Sequence, residues 1–200
     1  MKKITLLFLL VATTISFAQE KEVAYPQDVN KKYELKLNAF SLIVFSSLDV
    51  SYEYLLNKDS SFGVGVFYNF SDINDDLYYP KKFSITPYYR WYFTETRFAR
   101  GFFVEGFGML NTYEDNYYIN YYYYYYDNNG NYIENNEVYK ETNFALGVSV
   151  GGKFIIKSGF TAEIYLGVGR NLFNNDNNNN NVNFSNDLIT RGGISLGYRF

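Results

Sequence analysis

Apolar residues alternate with small or polar ones along most of the chain, and the alternation restarts eight times. A period of two marks strands whose two faces meet different surroundings, because successive side chains point to opposite sides. The first segment sets Tyr33, Leu35, Leu37 and Ala39 against Glu34, Lys36 and Asn38; the second sets Leu48, Val50, Tyr52, Tyr54 and Leu56 against Asp49, Ser51, Glu53 and Leu55. The third opposes Phe62, Val64, Val66, Tyr68 and Phe70 to Ser61, Gly63, Gly65, Phe67 and Asn69. In the fourth, Phe83, Ile85, Tyr89, Trp91 and Phe93 face away from Ser84, Thr86, Tyr88, Arg90 and Tyr92. The sixth, seventh and eighth repeat the pattern around Leu146 and Val148, around Ile164 and Leu166, and around Ile194 and Leu196.

Three places break the rhythm. The fifth segment, residues 101–111, is apolar on both sides, and Glu105 is assigned inward because a charge is costly against lipid. Pro87 sits on the apolar face of the fourth segment, where it removes a ladder hydrogen bond. The first segment loses its phase through residues 41–45, which predicts a bulge or an early strand end.

The linkers fall at 46–47, 57–60, 71–82, 94–100, 112–142, 157–159 and 171–187, so from the second onward short and long alternate. That alternation fits an up-and-down barrel with short turns and both termini at one end and long loops at the other. Only the first connection on the long side is short. The expectation is an all-β protein, an eight-stranded antiparallel up-and-down transmembrane β-barrel over residues 33–200, with long external loops at 71–82, 112–142 and 171–187.

A soluble barrel has the same period with its faces exchanged. The composition of the second face favours the membrane form: Gly63, Gly65, Gly147, Gly151, Gly167, Gly169, Gly193 and Gly197 lie on it with about one charge per strand. Glycine leaves room for an opposing large side chain in a narrow tube. The apolar face carries Trp91, Phe93, Tyr52, Tyr54, Tyr198 and Phe200 near strand ends, as an aromatic girdle would.

On that assignment Glu53, Glu105 and Glu163 share the lumen with Arg90, Lys153 and Arg191. Charges in a narrow tube must be paired, so a structural ion-pair network is expected. Carboxylate pairs such as Glu53 and Glu105 could do glycosidase chemistry, but no spacing in the sequence places them across a cleft.

The amino terminus reads as a secretory leader. Lys2 and Lys3 precede an apolar run over residues 4–15, and Ser16-Phe17-Ala18 puts small residues at −3 and −1 of a cut after Ala18. The run is well short of the ~20 residues that span a bilayer as a helix. Residues 19–32 then form a short periplasmic segment. With Lys+Arg 18 and Asp+Glu 21 the net charge is −3, which leaves no excess of cations for a phosphate backbone and argues against nucleic acid. His 0 and Cys 0 exclude imidazole or thiolate metal sites, His-dependent triads and disulfides. No metal, cofactor or catalytic set is expected.

The loops carry the remaining chemistry. Eleven of the 23 Tyr fall within 112–142, including Tyr121, Tyr122, Tyr123, Tyr124, Tyr125 and Tyr126 in one run. A strand-like 117–126, an Asn-Gly turn at Asn129-Gly130 and Tyr132-Ile133 predict a hairpin extending the neighbouring strands. Tyrosine offers rigid contact area with a polar tip, a property of binding loops. Low-complexity drift in an unconstrained loop would give the same composition. Asp72, Asp75 and Asp76 form a weak cation-site candidate, and the Asn-rich tract 174–181 a weaker one.

The stretch ELKLNAFSLIVFSSLDVSYEYLL at 34–56, TPYYRWYF at 86–93, FFVEGFGML at 102–110 and the ending Gly197-Tyr198-Arg199-Phe200 resemble the small outer-membrane β-barrel proteins of unknown function from Gram-negative bacteria. The resemblance implies an eight-stranded barrel in the cell outer membrane and carries over no catalytic residues. Tyr198 and the terminal Phe200 resemble the C-terminal signal read by the barrel-assembly machinery. The expectation is a monomer ringed by outer-membrane lipid, with a structural or adhesin-like role and an extracellular partner at the loops. The alternatives are a narrow channel and a secreted barrel carrying a small hydrophobic ligand.

Overall fold

The computed structural model describes residues 28, 30–71, 79–93, 98–116, 125–126, 132–133, 138–172 and 188–200. Ten strands and one helix occur among them: β1 (Tyr33–Asn38), α1 (Ala39–Phe45), β2 (Ser47–Leu55), β3 (Ser60–Asn69), β4 (Lys81–Tyr92), β5 (Gly101–Asn116), β6 (Tyr125–Tyr126), β7 (Tyr132–Ile133), β8 (Val138–Ile155), β9 (Phe160–Asn171) and β10 (Leu188–Arg199). Eight of these strands close on themselves in the order β1-β10-β9-β8-β5-β4-β3-β2, every neighbour antiparallel. β6 and β7 pair separately, Tyr125 opposite Ile133 and Tyr126 opposite Tyr132.

The faces fall as the alternation requires. From Ser61 onward in β3, and along all of β9, burial switches with every residue, and the apolar partners Val64, Val66, Ile164, Leu166 and Val168 are exposed on the outside. Inside lie Glu34, Lys36, Glu53, Arg90, Glu105, Lys153, Glu163 and Arg199. This polarity is the reverse of a water-soluble barrel, whose charged face meets solvent. A strand of twelve residues such as β9, rising about 3.3 Å per residue and tilted by about 40°, reaches roughly 30 Å along the barrel axis, enough to cross an apolar band of ~25 Å.

At one end of the barrel β1 starts, β10 stops, and β2 leads to β3, β4 to β5 and β8 to β9; at the other lies α1, and β3 leads to β4, β5 towards β8 and β9 to β10. Around the first end Tyr33 packs against Tyr52, Tyr54 and Phe200, Trp91 against Tyr89, Phe93 against Phe102, and Phe160 against Tyr198. The result is an aromatic belt on the outer surface.

Strand pairing extends beyond the limits expected from sequence. Lys81 and Lys82 belong to β4, Asn171 to β9, and β5 and β8 pair as far as Asn116 opposite Val138, leaving shorter loops than 71–82, 112–142 and 171–187. Backbone pairing needs no apolar periodicity, so polar residues such as Glu114 and Lys140 stay in the ladder and form an ion pair across it. β4 meets β5 only up to Lys81 opposite Tyr113, and β8 meets β9 only from Ala145 opposite Asn171. The ends of β5 and β8 therefore stand above the barrel wall as a two-stranded ribbon. Pro87 faces outward, and no pairing with β5 is made at Thr86 or Pro87, although the register on either side is unchanged.

The first connection on the loop side is not a tight turn. β1 stops at Asn38, and residues 39–45 form α1, where the alternation is lost. Asn38 caps it by accepting a hydrogen bond from the Ser41 N–H at 3.3 Å, and Ser46 ends it in the left-handed conformation, donating its N–H to the Ser41 carbonyl. The early end of β1 has a topological consequence. β10 runs on from Ser195 to Leu188 and β2 from Val50 to Ser47 with no strand between them, and α1 packs on both.

Candidate functional site

The barrel interior has two tiers. The lower is a closed set of ion pairs whose geometry follows from register. Arg90 lies opposite Glu105 across β4 and β5, Lys153 opposite Glu163 across β8 and β9, and Glu34 opposite both Glu53 and Arg199 across β1 and its two neighbours. Arg90 spans three carboxylates, with Nε donating to Glu105 at 2.7 Å and Nη1 to Glu53 at 3.0 Å and Glu163 at 2.8 Å. Lys153 donates to Glu34 and Glu53, each at 2.7 Å, so one ammonium holds two adjacent carboxylates together. Lys36 joins Glu53 to Glu163, and Arg191 closes on Glu105. Arg199 pairs with Glu34 and, at the turn end, with Asp28 at 2.9 Å, where Arg100 also meets Asp28.

All six charges assigned to the lumen from sequence meet in this network. Glu34, Lys36 and Arg199 belong to it as well and were overlooked, although each occupies the polar phase of its strand. Tyr92 completes the coordination of Glu53, donating its hydroxyl to Oε1 at 2.6 Å, and Ser149 donates to Glu105 at 3.0 Å. Every carboxylate oxygen of Glu34, Glu53, Glu105 and Glu163 accepts at least one hydrogen bond from a cation, a hydroxyl or both. No oxygen of these four is left free to take a proton from a substrate, and all four side chains are sealed from solvent.

Aromatic rings fill the space between the charges. The Arg90 guanidinium lies 4.2 Å from the Phe103 ring centre and 4.6 Å from that of Tyr88, and the Arg191 guanidinium lies 5.0 Å from both Tyr88 and Tyr165. Glycine makes this filling feasible. A Cβ at Gly147 would stand 2.3 Å from the Phe107 ring, and one at Gly63 would stand 2.3 Å from the Tyr88 ring.

Among the described residues the upper tier, toward the loop end, encloses a cavity. The cavity is lined by Phe40, Ser41 and Phe45 of α1, by Asp49, Phe67, Lys81 and Met109 of the inner wall, and by Tyr79, Tyr165, Thr190 and Arg191. Phe45 stacks on Tyr79 at 5.0 Å, and Tyr79 meets Phe67 edge-on at 5.9 Å. Burial holds the Tyr79 phenol above its ordinary range. Sequence reasoning missed this cavity because Lys81 fell in an expected loop and α1 in a broken strand.

Several expected features lie outside the described residues: the leader at 1–18, Tyr121, Tyr122, Tyr123 and Tyr124, the turn at Asn129-Gly130, Asp72, Asp75 and Asp76, and the Asn-rich tract. Tyr125 and Tyr126 form β6. Tyr198 and Phe200 lie on the outer face at the turn end, and the Phe200 N–H donates to the Tyr33 carbonyl at 2.8 Å, which joins the last residue to β1. Among the described residues no group of His, Cys, Asp and Glu is arranged to hold a metal ion.

Comparison with known proteins gives a family and a fold. A family described as "Protein of unknown function (DUF3575)" matches residues 4–192. No curated protein matches the sequence. Among solved structures, the N-terminal β-barrel domain of Pseudomonas aeruginosa OprF is similar with a TM-score of 0.52 at 12% identity, covering 85% of this chain and 96% of that one. At that identity the likeness concerns the fold: a closed eight-stranded antiparallel up-and-down barrel.

Proposed function

The chain belongs to the DUF3575 family of proteins of unknown function, and on that footing we propose that it is a non-enzymatic outer-membrane barrel that carries contact segments at the cell surface. The observation that carries this reading is the inverted polarity of the wall, with aliphatic and aromatic side chains outside and paired charges inside. An outer face of that kind is stable only against lipid, since an exposed apolar surface of this extent in water drives association. The packed lower tier favours a scaffold over a channel, because a permeating ion would have to displace Arg90 or Lys153 from carboxylates 2.7–3.0 Å away. The saturated carboxylates likewise favour a structural role for the network over a catalytic one.

The ribbon formed by the ends of β5 and β8 supports the surface role, since the strands that flank the Tyr-rich sequence 117–137 stay paired past the wall. Outer-membrane lipid surrounds a single copy, the barrel-assembly machinery reads Tyr198 and Phe200 during insertion, and an extracellular ligand or surface meets the loops. The leader at 1–18 directs export. The protein is expected to stay in the outer-membrane fraction through a carbonate wash and to leave it only with detergent; release by carbonate overturns the placement. Deletion of 117–137 is expected to leave the folded, heat-modifiable band on a gel while abolishing attachment of cells to an immobilised protein and polysaccharide panel. Unchanged attachment overturns the loop role.

A further inference from the structure

The upper cavity contains a cation that makes no ion-pair contact among the described residues. Lys81 is 6% exposed and makes no salt bridge among the described residues; its ammonium lies 4.4 Å from the Phe67 ring centre and 5.5 Å from that of Tyr79. Aromatic faces offset only part of the hydration a buried ammonium gives up. Of the other charges lining the cavity, one is paired, and the other acts on Lys81 only from beyond ion-pair distance. Arg191 is paired with Glu105, and Asp49 accepts a hydrogen bond from the Asn38 side-chain amide at 2.9 Å. Among the described residues, what the cavity lacks is an anion in ion-pair contact with Lys81.

The same cavity adjoins an interruption in the barrel wall. Between the upper parts of β10 and β2 there is no strand, and the gap is crossed by the Asn38 amide, which donates to Asp49 and to the Gly192 carbonyl at 3.2 Å, and by α1. α1 presents Leu42 and the 80% exposed Ile43 outward, while Phe40, Ser41 and Phe45 line the cavity. A helix seven residues long, joined to its neighbours by the Asn38 amide, the Ser47 hydroxyl on the Phe45 carbonyl and side-chain packing, is a weaker seal than a backbone ladder.

We propose that this cavity is a binding site for a single-chain carboxylate amphiphile drawn from the surrounding lipid layer, its head paired with Lys81 and its chain among Phe40, Phe45, Phe67 and Met109. A lipid-derived amphiphile fits better than a free anion because the walls around Lys81 are mostly aromatic and aliphatic and the gap faces the apolar outer surface. Asp49 is the one carboxylate lining the cavity among the described residues, and it opposes a bound carboxylate.

The test places the full barrel in phosphatidylcholine nanodiscs with dodecanoate labelled with carbon-13 at the carboxyl. A second carboxyl resonance is expected that saturates at one equivalent per barrel, persists in Lys81→Arg and is absent in Lys81→Met, whose affinity falls about tenfold or more, the scale of a lost hydrogen bond to a charged group. Asp49→Asn is expected to raise occupancy at sub-saturating dodecanoate, an effect that a purely structural Lys81 would not produce. If Lys81→Met does not assemble, the wild-type barrel decides the matter: unlabelled dodecanoate displaces the signal and dodecanol does not. No second resonance, an equal one in Lys81→Met, or displacement by dodecanol overturns the proposal. Displacement by acetate at the same excess shows a free-anion site and overturns the amphiphile reading.

Discussion

Replacing Arg90 by methionine tests whether the lower tier is a dry ion-pair plug. The guanidinium is fully buried and contacts Glu53, Glu105 and Glu163 at 2.7–3.0 Å, with Phe103 and Tyr88 stacked on its faces. Methionine keeps much of the volume, so the effect is mainly electrostatic. Glu53 keeps Lys36 and Lys153, Glu163 keeps only the Lys36 it shares with Glu53, and Glu105 keeps only Arg191, so four carboxylates still face four cations but lose the four hydrogen bonds of the guanidinium. Breaking a buried pair from one side costs about 3–5 kcal/mol, roughly two or more orders of magnitude in the folded-to-unfolded ratio. Urea titration in lipid vesicles, read by the mobility difference between folded and unfolded bands, measures it. Adding Glu163→Gln removes the carboxylate that lost two hydrogen bonds from Arg90 and should recover about 1–3 kcal/mol as a coupling energy. A cost below about 1 kcal/mol for Arg90→Met, or additive single changes, would mean that water screens these charges and that the plug reading is wrong.

Two further predictions use space and conductance. Gly147→Val places side-chain atoms where Phe107 and the Val168 carbonyl already lie within 2.5 Å of a Cβ, so it should cost about 3 kcal/mol or prevent assembly; Gly106→Ala, which meets open space, should stay within about 0.5 kcal/mol. The folded-band assay ranks the two, and equal behaviour would contradict the inward assignment of Gly147. In planar bilayers the barrel is expected to show no discrete conductance steps in molar salt, and steady openings would contradict a packed lower tier.

Much of this architecture is written in the period-two pattern, because in a barrel with lipid outside and ion pairs inside every wall residue must choose a face. Glu105 shows the strength of that constraint: its segment is apolar on both sides, yet the cost of a lipid-facing charge alone places it inside, where it meets Arg90 and Arg191. The pattern is silent where the wall stops being strand. Residues 39–45 carry no polar phase and two β-branched residues, so nothing local separates a helix from a bulge; the helix depends on the Asn38 cap and on packing between β2 and β10. Lys81 was hidden for a related reason, since it opens β4 beside a Lys82 bulge that shifts the register. The partners of each lumen charge were also illegible, because they depend on which strands face one another across the tube. Glu163 meets Arg90 from a strand that is not a neighbour of β4.

Trp91 gives the most direct test of the central claim, that the apolar face meets lipid. It is the single tryptophan in the chain, lies on the outer face near the turn end and is 53% exposed. In vesicles of phosphatidylcholine brominated along the acyl chain, its fluorescence should be strongly quenched, more by bromines close to the headgroups than by deep ones, and hardly at all by aqueous iodide. Efficient iodide quenching with no response to brominated lipid would contradict the account, because the face that carries Trp91 would then lie in water.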